Sequence, residues 1–97
     1  MECKILKMNT ALVCIAKDED NYIDEWIEYH KLLGFDDIII YKNDWNANIK
    51  DSSVILKSVH GQNQQVATYN SFINEYYDKY DFAAFFDVDE FLVLKKH

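Results

Sequence analysis

The chain has 97 residues, which allows one domain at most. Its formal net charge of −7 disfavours nucleic acid as a partner, because phosphate backbones require clustered Lys and Arg. A nucleotide is compatible with this charge, since a divalent cation can mediate between carboxylates and a diphosphate. No apolar stretch approaches the roughly 18 residues that span a bilayer. Two cysteines, Cys3 and Cys14, make no disulfide framework, and this fits a reducing cytoplasm.

The first half of the chain alternates between predicted strand and helix. An apolar run rich in β-formers predicts a buried strand over 10–16. Helical spacing of apolar residues predicts a helix over 22–33, and Gly34 stands in the position that ends a helix. A second buried strand is predicted over 35–41, followed by a polar loop over 42–48.

The second half continues the alternation. A short strand is predicted over 54–56, a helix over 64–80, a fourth apolar strand over 82–86 and a final strand over 91–94. The second helix is expected to bury one apolar face, formed by Val66, Tyr69, Ile73, Tyr76 and Tyr80. This order predicts an α/β fold with a doubly wound, mainly parallel sheet. Ligands of such sheets bind beyond the carboxyl ends of the strands, where we expect the polar segments 17–21, 42–48 and 87–90.

An acidic cluster, Asp87-Val88-Asp89-Glu90, follows the fourth predicted strand. Strand alternation would send Asp87 and Asp89 to the same side. Two carboxylates so close repel each other unless a cation or a proton lies between them. A hard divalent ion such as Mg²⁺ or Mn²⁺ resolves the repulsion and also binds diphosphate oxygens. A solvated turn is the alternative interpretation.

Four motifs occur in a familiar order. They are Ala16-Lys17-Asp18-Glu19 with the following Tyr22-Ile23-Asp24-Glu25-Trp26-Ile27-Glu28-Tyr29-His30 and Leu33-Gly34-Phe35; Ile40-Tyr41-Lys42-Asn43-Asp44; Gln65 with Tyr69-Asn70; and Phe86-Asp87-Val88-Asp89-Glu90-Phe91-Leu92. Because of these four motifs, the chain resembles the GT-A-fold glycosyltransferases, in particular the family 2-like branch with an Asp-x-Asp-Glu-Phe cluster. The resemblance covers about residues 10–94 and implies the Rossmann-like, donor-binding half of that fold.

The resemblance also implies roles for individual residues. Residues of the segment after the first strand, Ala16, Lys17 and Glu19, would hold the base and ribose of a nucleotide sugar. Asn43 and Asp44 would close over the nucleoside, although both residue types also favour plain turns. From the second helix, Gln65 and Tyr69 would lie near the ribose and diphosphate. Asp87 would reach the ribose or sugar, and Asp87 and Asp89 would ligate Mn²⁺ or Mg²⁺. Trp26, Tyr29 and His30 are expected to pack the first helix, and His60 is expected to be a loop residue.

The implied function is transfer of a sugar from a nucleotide sugar, with UDP-sugar favoured, to a glycan or lipid-linked glycan in polysaccharide biosynthesis. The implied location is cytoplasmic, with a peripheral position at the inner face of the membrane left open. GT-A domains normally continue by on the order of a hundred residues past the acidic cluster. Residues 1–97 would therefore supply donor and metal binding without the acceptor half, and no catalytic base can be named. The predicted final strand would leave an open sheet edge, which favours self-association.

Two other interpretations remain open. Phosphatases of the haloacid-dehalogenase type also place Asp-x-Asp after an apolar strand, with one aspartate as nucleophile. They usually carry the motif near the start of the domain, whereas here Glu90-Phe91 follows it near the end. A non-catalytic remnant that serves as an interaction domain is the other alternative. Its contact surface would be the first helix or the final strand.

Overall fold

The computed structural model describes residues 9–18 and 22–86, which form a four-stranded sheet and two helices. The elements are β1 (Thr10–Ala16), α1 (Ile23–Leu33), β2 (Asp37–Asn43), β3 (Ile55–Val59), α2 (Gln65–Tyr76) and β4 (Phe82–Phe85). The strand order is β3-β2-β1-β4, and every pair of neighbours is parallel. A small α/β fold with a parallel sheet is thereby confirmed.

The two helices cover opposite faces of the sheet. Alternating residues of β1 divide between two buried clusters, because successive side chains of a strand point to opposite faces. Leu12 and Cys14 pack with α1, whereas Ala11 and Val13 pack with α2. All four of these side chains are fully buried. The unbroken apolar run of β1 therefore reflects a central strand covered on both sides.

The first helix matches its prediction closely. Its buried residues include Trp26 and His30, both with 0% exposure, so the expected packing role of these two side chains is confirmed. Nδ1 of His30 lies 2.8 Å from the Trp26 carbonyl oxygen and must donate to it. Burial lowers the pKa of His30, because desolvation disfavours the imidazolium. Gly34 ends the helix at φ 106°, and its amide donates to the Lys31 carbonyl.

The predicted loop over 42–48 begins too early. Lys42 and Asn43 belong to β2, where they pair in register with Ser58 and Val59. Polar side chains suggested a loop, but backbone pairing with β3 keeps both residues in the ladder. Pairing with β2 also extends β3 beyond the predicted 54–56, since the strand begins at residue 55 and ends at residue 59.

The predicted buried face of α2 is wrong in two positions. Val66 is 73% exposed and Ile73 is 49% exposed, whereas Thr68 and Phe72 are buried. Phe72 lies at the centre of an aromatic cluster, which decides how the helix is rotated against the sheet. The rings that Phe72 contacts are those of Tyr76, Tyr80 and Phe85.

The second helix also ends earlier than the predicted residue 80. It stops at Tyr76, and Tyr80 lies beyond it with its hydroxyl 2.6 Å from Oδ2 of Asp37. Burial and this hydrogen bond raise the pKa of Tyr80, since ionisation would place a second charge beside the carboxylate. The tertiary hydrogen bond to the start of β2 thus holds Tyr80 outside the helix.

Two expectations concern membranes and edges. Among the described residues, no helix combines the length and apolarity that crossing a bilayer requires. The predicted strand over 91–94, with the sheet edge it would leave open, lies outside the described residues.

Candidate functional site

The carboxyl edge of the sheet carries the candidate site. Strand order reverses at β1, because β2 and β3 lie on one side of it and β4 on the other. Ligands of open parallel sheets bind at such a reversal, outside the carboxyl ends of the strands. In the described residues, two clefts of the structure lie along this edge, on either side of the end of β2.

The first, which we call the α2-side cleft, has a volume of about 220 Å³. Its lining consists of Ile15, Ala16, Lys17, Asn43, Asn63, Gln64 and Gln65. Four of these residues, Ala16, Lys17, Asn43 and Gln65, were predicted as ligand contacts from separate parts of the sequence. The register of β1 and β2 explains why some of these residues are neighbours. Ala16 pairs with Lys42, so the next residues, Lys17 and Asn43, follow side by side.

Asn43, which lines the α2-side cleft, carries a polar atom without a partner. Its side-chain carbonyl oxygen, Oδ1, is buried and has no hydrogen-bond partner among the described residues. Most buried polar atoms in proteins have a partner, so an exception indicates a missing donor. An N–H or O–H group of a ligand in the cleft would supply it, as would an ordered water.

The amino terminus of α2 borders the same cleft and is favourable for negative charge. Its N-cap residue, Gln64, makes no side-chain capping bond, and the first turn carries no acidic residue. The first backbone N–H groups of a helix have no partner within the helix, and they carry its positive dipole end. Lys17, which lines the cleft from the end of β1, adds a full positive charge.

The second cleft lies on the other side of β2, and we call it the α1-side cleft. Its volume is about 270 Å³, and its lining consists of Lys42, Asp44, Trp45, Asn46, Ser58 and His60. Asp44, predicted to close over the nucleoside, faces this cleft and not the α2-side cleft. Asp44 has a positive φ of 48°, a conformation that aspartate tolerates in turns.

Asp44 ties the ends of β2 and β3 together. Its Oδ1 lies 2.7 Å from Nδ1 of His60, and its Oδ2 accepts the backbone N–H of Gly61 at 2.9 Å. The Gly61 amide and the His60 side chain lower the pKa of Asp44, because both stabilise the carboxylate. His60 was expected to be a simple loop residue, but its ring contacts the Asp44 carboxylate.

Tyr69 does not line either cleft. Its ring packs against Phe85 of β4, with 4.4 Å between the ring centroids, and it belongs to the cluster under α2. The structure therefore separates Tyr69 from Gln65, although both were assigned to the ribose and diphosphate. Thr68, one residue earlier, has a buried hydroxyl without a partner among the described residues.

Three predicted site residues, Glu19, Asp87 and Asp89, lie outside the described residues. Phe86 is the last described residue, and its backbone N–H donates to the carbonyl of Val13 in β1. Within 9–18 and 22–86, no group of three or more His, Cys, Asp or Glu side chains could hold a metal ion. The predicted Mn²⁺ or Mg²⁺ site remains a prediction from the sequence.

A concavity of about 510 Å³, larger than either cleft at the sheet edge, lies between α1 and residues 50–51. Several of its polar groups are already engaged with each other. Lys31 pairs with Asp51 at 2.7 Å, and the backbone N–H of Lys50 donates to Asp24. Lys31 and Ser53 lower the pKa of Asp51 to about 2.

Sequence reasoning missed Ser58 and underrated Lys42 and His60. The signal was present in the spacing, since Lys42 and Asp44, and likewise Ser58 and His60, are two residues apart. Residues at that spacing share a face of a strand. Finding their common cleft also required the register between β2 and β3, which the sequence does not reveal.

Comparisons with known proteins add no relative to this picture. No protein-family model matches the chain, and neither the curated proteins nor the solved structures contain a significant match.

Proposed function

We propose that this chain is the donor-binding part of a metal-dependent glycosyltransferase, with a Rossmann-like half of a GT-A fold. It would bind a nucleotide sugar, with UDP-sugar favoured, and transfer would go to a glycan or lipid-linked glycan acceptor. Asp87 and Asp89 would hold Mn²⁺ or Mg²⁺ against the diphosphate. The location we propose is cytoplasmic, at or near the inner face of the membrane.

The observation that carries the proposal is the buried, unpartnered Oδ1 of Asn43 in the α2-side cleft. A nucleoside offers the donors this atom lacks, because a uracil ring has an N–H and ribose has hydroxyl groups. Leaving such an acceptor unsatisfied costs about 1–3 kcal/mol, so a donor that reaches it gains binding energy.

Charge at the same cleft supports a phosphate-bearing ligand. Lys17 and the uncapped amino terminus of α2 both favour an anion, in a chain whose net charge is −7. The acidic motif that begins at Asp87 follows directly on Phe86 in the sequence, and the backbone N–H of Phe86 donates to the Val13 carbonyl of β1, the strand that ends at the cleft. A divalent ion bound by that motif would offset charge on the departing nucleoside diphosphate.

The size of the cleft supports a partial site. Its volume of about 220 Å³ is below the range of about 300–1,000 Å³ that is usual for ligand pockets. The described cleft would therefore hold the nucleoside end of a donor, and residues beyond it would complete the enclosure.

Titration calorimetry of UDP, with and without Mn²⁺, tests the proposal. We expect binding that requires the metal, is lost in Asp89→Ala and persists in the control Asp78→Ala. Asn43→Leu should weaken UDP by about tenfold, since it removes the acceptor, whereas Asn46→Leu in the other cleft should have little effect. Equal binding by Asp89→Ala and the unchanged protein would contradict the proposal.

The same purified protein also tests the two alternative functions, a phosphatase and a non-catalytic interaction domain. Hydrolysis of a phosphomonoester that is abolished by Asp87→Asn would identify a phosphatase. A folded protein that binds neither UDP nor metal would favour an interaction domain without catalysis.

A further inference from the structure

The α1-side cleft gathers four polar side chains from two neighbouring strands. Lys42 of β2 pairs in register with Ser58 of β3. Asp44 and His60 follow them in the sequence, each two residues later. Alternation places Lys42 and Ser58 on the face of the sheet that α1 covers, because Ile38 and Ile40 of β2 belong to the α1 cluster. Asp44 and His60 lie just beyond the strand ends and line the same cleft. The result is a polar concavity, and Trp45, which is 7% exposed, forms one wall of it.

Among the described lysines that make no ion pair, Lys42 is half-buried, whereas Lys17, Lys50 and Lys79 are exposed. Lys31 and Lys57 lie 2.7 Å and 2.8 Å from carboxylate oxygens, and both are ion-paired. Lys42 is half-buried in the cleft and makes no ion pair with any described residue. The nearest carboxylate along the strand, Asp44, is engaged at both oxygens by His60 and Gly61. The ammonium group of Lys42 is therefore available to a ligand.

The orientation of His60 is fixed by Asp44. A carboxylate can only accept, so Nδ1 of His60 must carry the proton in the 2.7 Å contact. Nε2 lies on the other side of the ring and is directed away from Asp44. The His60 side chain is 81% exposed, so Nε2 can reach a ligand. In the imidazolium form Nε2 also becomes an N–H donor.

We propose that the α1-side cleft binds an anionic group of a ligand, a carboxylate or a phosphate, through Lys42 and His60. Ser58 and Asn46 line the same cleft and add hydroxyl and amide donors. Asp44 is a positioning residue that holds the imidazole with Nδ1 toward its own carboxylate. Charge-assisted hydrogen bonds of this kind are stronger than bonds between neutral groups.

This site is separate from the proposed nucleotide site. Lys42 and Asn43 are adjacent in β2 and so face opposite sides of the sheet, which puts the two clefts on different faces. The anion site would bind its ligand whether or not the α2-side cleft binds a nucleotide.

The charged groups that face His60 are Asp44 and Lys42, with Lys17 acting on Asp44 from the end of β1. Sulfate is a suitable probe of the cleft because it carries the same charge throughout the neutral pH range.

The experiment is a sulfate titration at low ionic strength, followed by the NMR signals of the His60 ring and of the β2 and β3 amides. Lys42→Gln and His60→Gln should each weaken sulfate by about fivefold, and the matched control Lys50→Gln should not. Amide spectra of the variants verify the fold. Glucuronate and glycerol 3-phosphate, titrated in parallel, distinguish a carboxylate from a phosphate as the preferred group.

The expected result is saturable binding of sulfate at pH 7 that is reduced in both variants. Sulfate shifts that are equal in the unchanged protein, Lys42→Gln and His60→Gln would overturn the proposal. Shifts that are absent from the His60 ring and from the β2 and β3 amides would overturn it as well. Neither result depends on UDP, so failure here is distinct from failure of the nucleotide site.

Discussion

Nδ1 of His60 lies 2.7 Å from Oδ1 of Asp44, and this contact joins the carboxyl ends of β3 and β2. The two residues are 16 positions apart in the chain and meet because β2 and β3 pair in parallel. The backbone N–H of Asp44 also donates to the Val59 carbonyl, so the junction is held by the main chain as well.

The first prediction concerns the tautomer of His60. Because the Asp44 carboxylate can only accept, the neutral ring should carry its proton on Nδ1. Long-range ¹H–¹⁵N correlation spectra at pH 8.5 measure this directly. Asp44→Ala should remove the preference, whereas Asp78→Ala should leave it. A ring protonated mainly on Nε2 in the unchanged protein would contradict the contact.

The second prediction concerns His30 and the pH dependence of stability. Burial holds the pKa of His30 below its ordinary value of 6.5 in the folded state. Its contribution to stability is therefore complete above pH 6.5 and is lost as the pH falls below it, because only the unfolded chain then takes up the proton. Each unit of pKa difference corresponds to about 1.4 kcal/mol.

Chemical denaturation at several pH values between 5 and 8 measures this effect. His30→Leu should flatten the pH dependence over that range, since the titrating group is gone. Lys50→Gln, at an exposed position, is the control and should keep the dependence. If His30→Leu and the unchanged protein lose stability in parallel, another group is responsible.

The third prediction tests the rotation of α2. Phe72 is 4% exposed and contacts three rings, so Phe72→Ala should lower the free energy of unfolding by about 3–5 kcal/mol. Phe72→Leu, which keeps more volume, should cost less and provides a variant that still folds. Ile73→Ala, on the exposed side, should change stability by about 0.5 kcal/mol or less. Urea denaturation compares the three, and a larger loss for Ile73→Ala than for Phe72→Leu would reverse the assignment of faces.

The fourth prediction concerns the end of α1. Gly34 has φ 106°, where side chains are strained, although a Cβ there would meet no atom within 4 Å. Gly34→Ala should therefore destabilise the protein by about 1–2 kcal/mol through the backbone alone. Ser52→Ala, an exposed substitution outside the positive-φ region, should be nearly neutral in the same thermal-denaturation assay. Equal melting temperatures for the two variants would argue against strain at Gly34.

Patterns within a few residues of each other predicted much of the fold. The apolar run of β1 and the helical spacing that ends at Gly34 specify their elements locally, and both appear at almost the predicted bounds. The face of α2 was harder, because Val66 and Ile73 are as apolar as residues of a buried face. Only the aromatic cluster around Phe72 shows which side of that helix packs against the sheet.

For the candidate site, the sequence by itself determined which residues follow each strand, including Lys17, Asn43 and Asp44. The tertiary structure decided which of them meet. Strand register and alternation put Asn43 beside Lys17 in one cleft and turn Asp44 toward His60 in the other. Side chains one residue apart on a strand point to opposite faces, and partners on a neighbouring strand depend on a register that no local pattern encodes.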